Sequence, residues 1–159
     1  MPKPDMSLGV NVNVTGSIDG TGKLTATATY SQGTSNPAST GVVDASGDID
    51  LTKMNDQGNN FSNQTDITFM LSGTVTDQSG TSYNVQFPTP VTSAITLQKQ
   101  NGGNPSSGEF VPSLPTATSL LLDDANSDGQ DYNYCLVVEP TGLFATTPTC
   151  RLDPNIVNR

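Results

Sequence analysis

The sequence contains no histidine and no tryptophan. Without histidine, neither a Ser-His-Asp nor a Cys-His arrangement can form, and the usual general base near neutral pH is missing. Two cysteines with no histidine do not make a zinc site. Only six residues are basic, Lys3, Lys23, Lys53, Lys99, Arg151 and Arg159, and they are scattered along the 159-residue chain. No basic patch can neutralise phosphates, so neither nucleic acid nor an anionic membrane surface is an expected partner. No apolar run approaches the roughly 20 residues of a membrane helix, and none follows residues 1–5 as it would in a secretory leader. On that ground a cytoplasmic protein is expected, or an extracellular one if the chain is a mature form. P-loop and dinucleotide fingerprints are also missing.

Thr, Ser, Asn and Gly are abundant. Hydrophobic residues make up 33% and charged residues 13%, so the polarity is neutral rather than ionic. That mixture suits solvated β-sheet faces and not the highly charged composition of disordered chains. The net charge of -9 favours solubility and attracts divalent cations.

Leu8, Val10, Val12 and Val14 alternate with Gly9, Asn11, Asn13 and Thr15, the period-two pattern of a half-buried strand. Asp19-Gly20-Thr21-Gly22 supplies a hairpin turn, and Leu24, Ala26, Ala28 and Tyr30 return in the same alternation. A second hairpin is predicted from Ile67, Phe69, Leu71 and Val75 through the turn at residues 77–80 to Tyr83, Val85 and Phe87. Further strands are expected at residues 91–97 and 111–122, with weaker signals at 42–43 and 49–51. The polar stretch 98–108 reads as a long loop, because a separate domain after it would be too small for its own core. Short strands with Gly/Asp turns and no helical period predict one all-β domain over residues 1–159. The expected architecture is an antiparallel β-sandwich, immunoglobulin-like but without the buried Trp of antibody domains.

The chemistry concentrates near the end of the chain. Asp124, Asn126 and Asp128 alternate ahead of Gly129, as in the first half of a calcium loop, where hard oxygens must converge in a tight turn. Asp123 or Asp131 would complete such a site. The twelfth position is Cys135 rather than Glu, which excludes an EF-hand. The alternative is a plain turn built from Asp, Asn and Gly. A hairpin centred near Gly142 would set Cys135 opposite Cys150, where they either close a disulfide or stay as small apolar thiols.

Glu139-Pro140, the tail Asp153-Pro154-Asn155-Ile156-Val157-Asn158-Arg159, and Tyr132-Asn133-Tyr134 ahead of them resemble a group of small bacterial proteins, the DP-EP family. The resemblance covers about the last thirty-five residues. It implies an immunoglobulin-like sandwich and brings no catalytic residues with it.

The expected function is therefore a non-catalytic binding or structural module, calcium-stabilised or self-assembling, with an unknown protein, a glycan or a second copy as partner. A calcium-dependent carbohydrate-binding module is the alternative, with Tyr30, Tyr83, Tyr132 and Tyr134 or the Phe residues as the available platforms. A carboxylate-only hydrolase, which needs just two acids, ranks behind both.

Overall fold

In a computed structural model, residues 1–158 are described. They form strands β1 (Met6–Ile18), β2 (Leu24–Asn36), β3 (Ile49–Asp50), β4 (Thr65–Asp77), β5 (Ser82–Gln86), β6 (Ile95–Lys99), β7 (Phe110–Thr116), β8 (Ser119–Asp124), β9 (Tyr132–Pro140), β10 (Cys150–Leu152) and β11 (Asn155–Val157). One helical turn, α1 (Val91–Ala94), precedes β6. No helix among the described residues is long and apolar enough to cross a membrane.

The first hairpin forms as its alternation predicts, from Ile18↔Leu24 down to Ser7↔Asn36, with a bulge between Leu8 and Val10. Asp19 anchors its turn: Oδ1 accepts from the Thr21 amide at 2.8 Å, the Thr21 hydroxyl at 2.6 Å and the Lys23 amide at 3.0 Å. Asp77 repeats the device in the second hairpin, with Ser79 and Thr81 as donors. A third copy at Asp44, with the Ser46 and Asp48 amides, shapes a loop. All three read Asp-x-Ser/Thr-Gly, and the glycines take φ of +83°, +90° and +84°, where a side chain would be strained.

The sheet is not purely antiparallel as expected. β1 and β4 run parallel over thirteen rungs, from Met6↔Thr65 to Ile18↔Asp77, and β11 runs parallel to β3. A parallel pair needs a crossover of a dozen or more residues, and residues 37–64 provide one between β2 and β4.

On its other side β4 changes partner. Residues 65–70 pair with β8 and residues 74–76 with β5. Gly73 sits at the change, with φ of +110° and its Cα against β1; a Cβ there would lie 1.9 Å from the Val14 carbonyl oxygen.

The curl closes where β5 meets β9, at Val85↔Pro140 and Gln86↔Glu139, the latter joined by a 3.0 Å side-chain hydrogen bond. β9 carries β6 on one edge and β10 and β11 on the other. The result is an all-β, mixed and strongly curled sheet forming a half-barrel. Its inside is filled by Val10, Val12, Val14, Ile67 and Phe69 from one arm and Tyr132, Tyr134, Leu136 and Val138 from the other. The Phe69 and Tyr134 rings meet across it at 5.3 Å.

Two strand expectations shift. Residues 91–94 form a helical turn and only Ile95–Lys99 is extended. The stretch 111–122 is a hairpin rather than one strand, turning at residues 117–118 between Thr116 and Ser119.

Gly73→Ala should cost about 3 kcal/mol or more, combining a positive φ with a backbone collision. Urea unfolding checks this, and a change below about 1 kcal/mol would mean that the two strands separate there without penalty.

Candidate functional site

The loop between β8 and β9 does not gather its acids at one point. Successive residues of a strand point to opposite faces, so the end of β8 sends Asp123 outward and Asp124 inward. Asp123 stands across from Asp66 on the outer face, and partial burial followed by the Asp66 and Asp5 charges raises its pKa. Asp128 turns toward β6, accepting from the Ser106 hydroxyl at 2.9 Å, from Tyr132 Oη, and pairing with Lys99 at 3.7 Å. Desolvation works against its charge, but the bonds from Tyr132, Gln130 and Ser106 and the Lys99 charge hold its pKa below the usual value. Asp131 Oδ1 accepts from the Asn158 amide at 3.1 Å. Asn126 adopts φ of +49°, its amide N–H on Asp124 Oδ1 at 2.9 Å and its Nδ2 on the Asn63 carbonyl at 3.3 Å. Among the described residues, no three Asp, Glu or Cys side chains are grouped to hold a metal. The five expected ligands, Asp123, Asp124, Asn126, Asp128 and Asp131, thus spread over two faces and several separate partners.

What the fold builds instead is a sealed acidic centre. Asp124 is 0% exposed and Glu109, at the start of β7, is 1% exposed. The two segments are tied by the Ala125 amide on the Glu109 carbonyl at 2.8 Å. The Glu109 carboxylate accepts from the Ser127 amide at 3.0 Å, the Ser127 hydroxyl at 2.6 Å and Asn158 Nδ2 at 3.4 Å. Asn158, 7% exposed, directly follows β11. Two buried oxygens in this centre lack a hydrogen-bond partner, Asp124 Oδ2 and Asn158 Oδ1. Burial, then the Glu109, Asp128 and Asp123 charges, push the Asp124 pKa up to about 7 against one opposing bond from Asn126.

Sequence reasoning missed Glu109 and Asn158. A signal was present for Asn158: it shares the parity of buried Ile156, so it had to point inward. Glu109 closes a polar loop and gave no such signal.

The cysteines do not face each other. Residues 141–149 contain no regular strand, so the hairpin register is not set by a turn at Gly142. Cys150 pairs with Val138, not Cys135, and both thiols are free. Parity places them on opposite faces of the sheet. Cys150 Sγ lies 3.7 Å from the Ala26 carbonyl, against the core, whereas Cys135 lines a depression of about 410 Å³ with Thr96, Asn133, Arg151 and Asp153. Burial, then the bond and charge of Asp153, push the Cys135 thiol up to about 11. Tyr132 and Tyr134 are core residues at 0% and 1% exposure, so they offer no platform to a sugar.

The second region with functional character is the outer face of β2-β1-β4-β5. Thr27, Thr15, Thr74 and Asn84 form one rung, and Thr25, Ser17, Thr76 and Ser82 the next. Bonds from Asn11 to Ser31, Asn13 to Ser72, and between Thr76 and Ser82 join the rows at 3.0–3.3 Å. No charged side chain interrupts these rungs.

Asp124 gives a pH dependence of defined sign. With a folded pKa near 7 and an unfolded one near 3.9, the folded state holds the extra proton, so stability falls as pH rises from about 4 through 7. The full cost is at most about 4 kcal/mol. In EDTA, the urea midpoint should therefore drop between pH 5 and pH 8, and Asp124→Asn should flatten that drop; an unchanged slope in the variant would assign it elsewhere. Separately, the Cys135 side chain is buried although it borders the depression, and Cys150 is partly exposed, so native protein treated with a thiol reagent should lose Cys150 first, with Cys135 reacting only on unfolding. Equal rates would place both thiols at the surface.

No protein-family model and no curated protein matches this sequence.

Proposed function

We propose that the chain is a non-catalytic structural module, an immunoglobulin-like β-sandwich formed by the two arms of the half-barrel, that self-associates along β2. The observation that carries this is the β2 edge. Its thirteen residues, Leu24–Asn36, pair with β1 alone and contain neither a charged residue nor a proline. Sheet edges are normally blunted by charge, proline or short length, because unpaired N–H and C=O groups template further pairing. The β7 edge shows that protection, with Pro112 and Pro115. On β2, the Ala26 carbonyl turns away from β1 toward Cys150, and alternation turns the backbone groups of Ala28 and Tyr30 the same way. The 39–43 segment covers the far end, where Gln32 bonds Ser39, Val42 and Val43, and Cys150 of β10 touches the edge at Ala26.

A second copy docking its own β2 would extend the Thr/Ser/Asn rows across the junction without bringing like charges together. The resemblance of the tail to the DP-EP family supports the same sandwich reading. Sedimentation velocity across micromolar concentrations should show reversible association. Ala28→Pro, which removes an outward N–H and leaves the β1 ladder intact, should give a folded monomer. A wild-type protein that is strictly monomeric throughout overturns the proposal.

A further inference from the structure

We infer that Asp124, Glu109 and Asn158 form a calcium site inside the β7-β8 end of the fold. This is independent of association along β2, and of the alternating residues of the loop only Asp124 is among its ligands. The argument begins with the two partnerless oxygens. Asp124 Oδ2 and Asn158 Oδ1 are both buried; Asn158 Nδ2 bonds the Glu109 carboxylate, and the residue after Asp124, Ala125, bonds the Glu109 carbonyl. A buried acceptor without a donor is strongly disfavoured, more so when it carries charge.

The orientation of Asn158 is fixed from two sides. Its backbone N–H is held by Asp131 Oδ1, and its Nδ2 faces Glu109 Oε1 at 3.4 Å. Flipping the amide would turn a carbonyl oxygen onto a carboxylate, so the hydrogen-bond network assigns Oδ1 as the free atom. Glu109 is positioned just as firmly by Ser127, which donates from both its amide and its hydroxyl.

Chemistry then selects the occupant. The available donors are two carboxylates and one carboxamide, all oxygen, with a formal charge that a divalent cation cancels. Calcium accepts mixed carboxylate, amide and water ligands in irregular geometry, whereas magnesium demands a near-ideal octahedron. The competing occupant is a proton on Asp124, donated to a neighbouring acceptor.

The test is the melting temperature of the full chain at neutral pH in millimolar calcium chloride against EDTA, with calorimetric titration of calcium. The expected result is a rise of about 5–10 °C at a hundredfold excess over Kd, with one ion bound per chain. Asp124→Asn and Asn158→Ala should each abolish the rise and the heat. Asp128→Ala and Asp77→Ala should keep both, because those carboxylates are engaged elsewhere. Asn158 lies outside the strands, so its variant keeps the test decisive if Asp124→Asn does not fold. No calcium response in the wild type, with Asp124→Asn as stable or more stable, would assign the site to a proton. A response lost in Asp128→Ala but kept in Asn158→Ala would assign calcium to the surface loop. Either result overturns the inference.

Discussion

The parallel ladder between β1 and β4 is the constraint on which the other elements depend. β1 carries β2 on its free side, and β4 carries β8 and β5 on its own. The register of thirteen rungs therefore sets where every neighbour lies. It also sets which side chains of Val10, Val12, Val14, Ile67 and Phe69 meet the aromatic row of β9. The close approach at Val14 and Gly73 lets β4 serve two partners in succession, because the backbone can turn there without a side chain in the way. A sheet that divides at that point can curl, and the curl brings β9 back over the first arm.

The acidic centre and the neutral outer face follow from the same alternation. At the end of β8 the inward parity that places Leu120 and Leu122 in the core also carries Asp124 inside. A charged residue at an inward position is costly unless something compensates it. The surroundings of Asp124 are only partly compensating, in contrast to those of Asp128, which has a lysine, a tyrosine and a serine. On the other parity, β1, β2, β4 and β5 expose hydroxyls and amides that bond to one another rather than to ions.

Much of this was legible in the residues. The first hairpin and the turn of the second could be read because period-two alternation and Asp/Gly turns are local signals, whereas Ile67 and Phe69 pair with β8 instead of the returning strand. The direction in which β4 meets β1 could not, since a strand with one buried face has the same pattern in parallel and antiparallel pairing. The cysteine register failed for a related reason: spacing predicts opposition only across a regular turn, and residues 141–149 are irregular. Of the acidic centre, Asp124 was readable by counting from Leu122. Glu109 arrives from just before β7 and Asn158 from just after β11, and pairing of those strands is needed to bring them to the end of β8. The alternating acids looked like a calcium loop because spacing reports which residues share a turn. It does not report where their oxygens point.

The repeated Asp-x-Ser/Thr-Gly turn changes how the acidity of this chain should be understood. Asp19, Asp44 and Asp77 are spent on corners, each with a carboxylate oxygen wrapped by amide or hydroxyl donors. The dipoles of those donors stabilise the negative charge at the rim. A molecule approaching from a distance still senses the overall negative field, but at contact range it meets a periphery whose charge is already solvated by the protein itself. The broad sheet between those corners is electrically quiet. Recognition on that surface would then be governed by the shape and hydrogen-bond order of the rows, and dissolved salt would have little to screen.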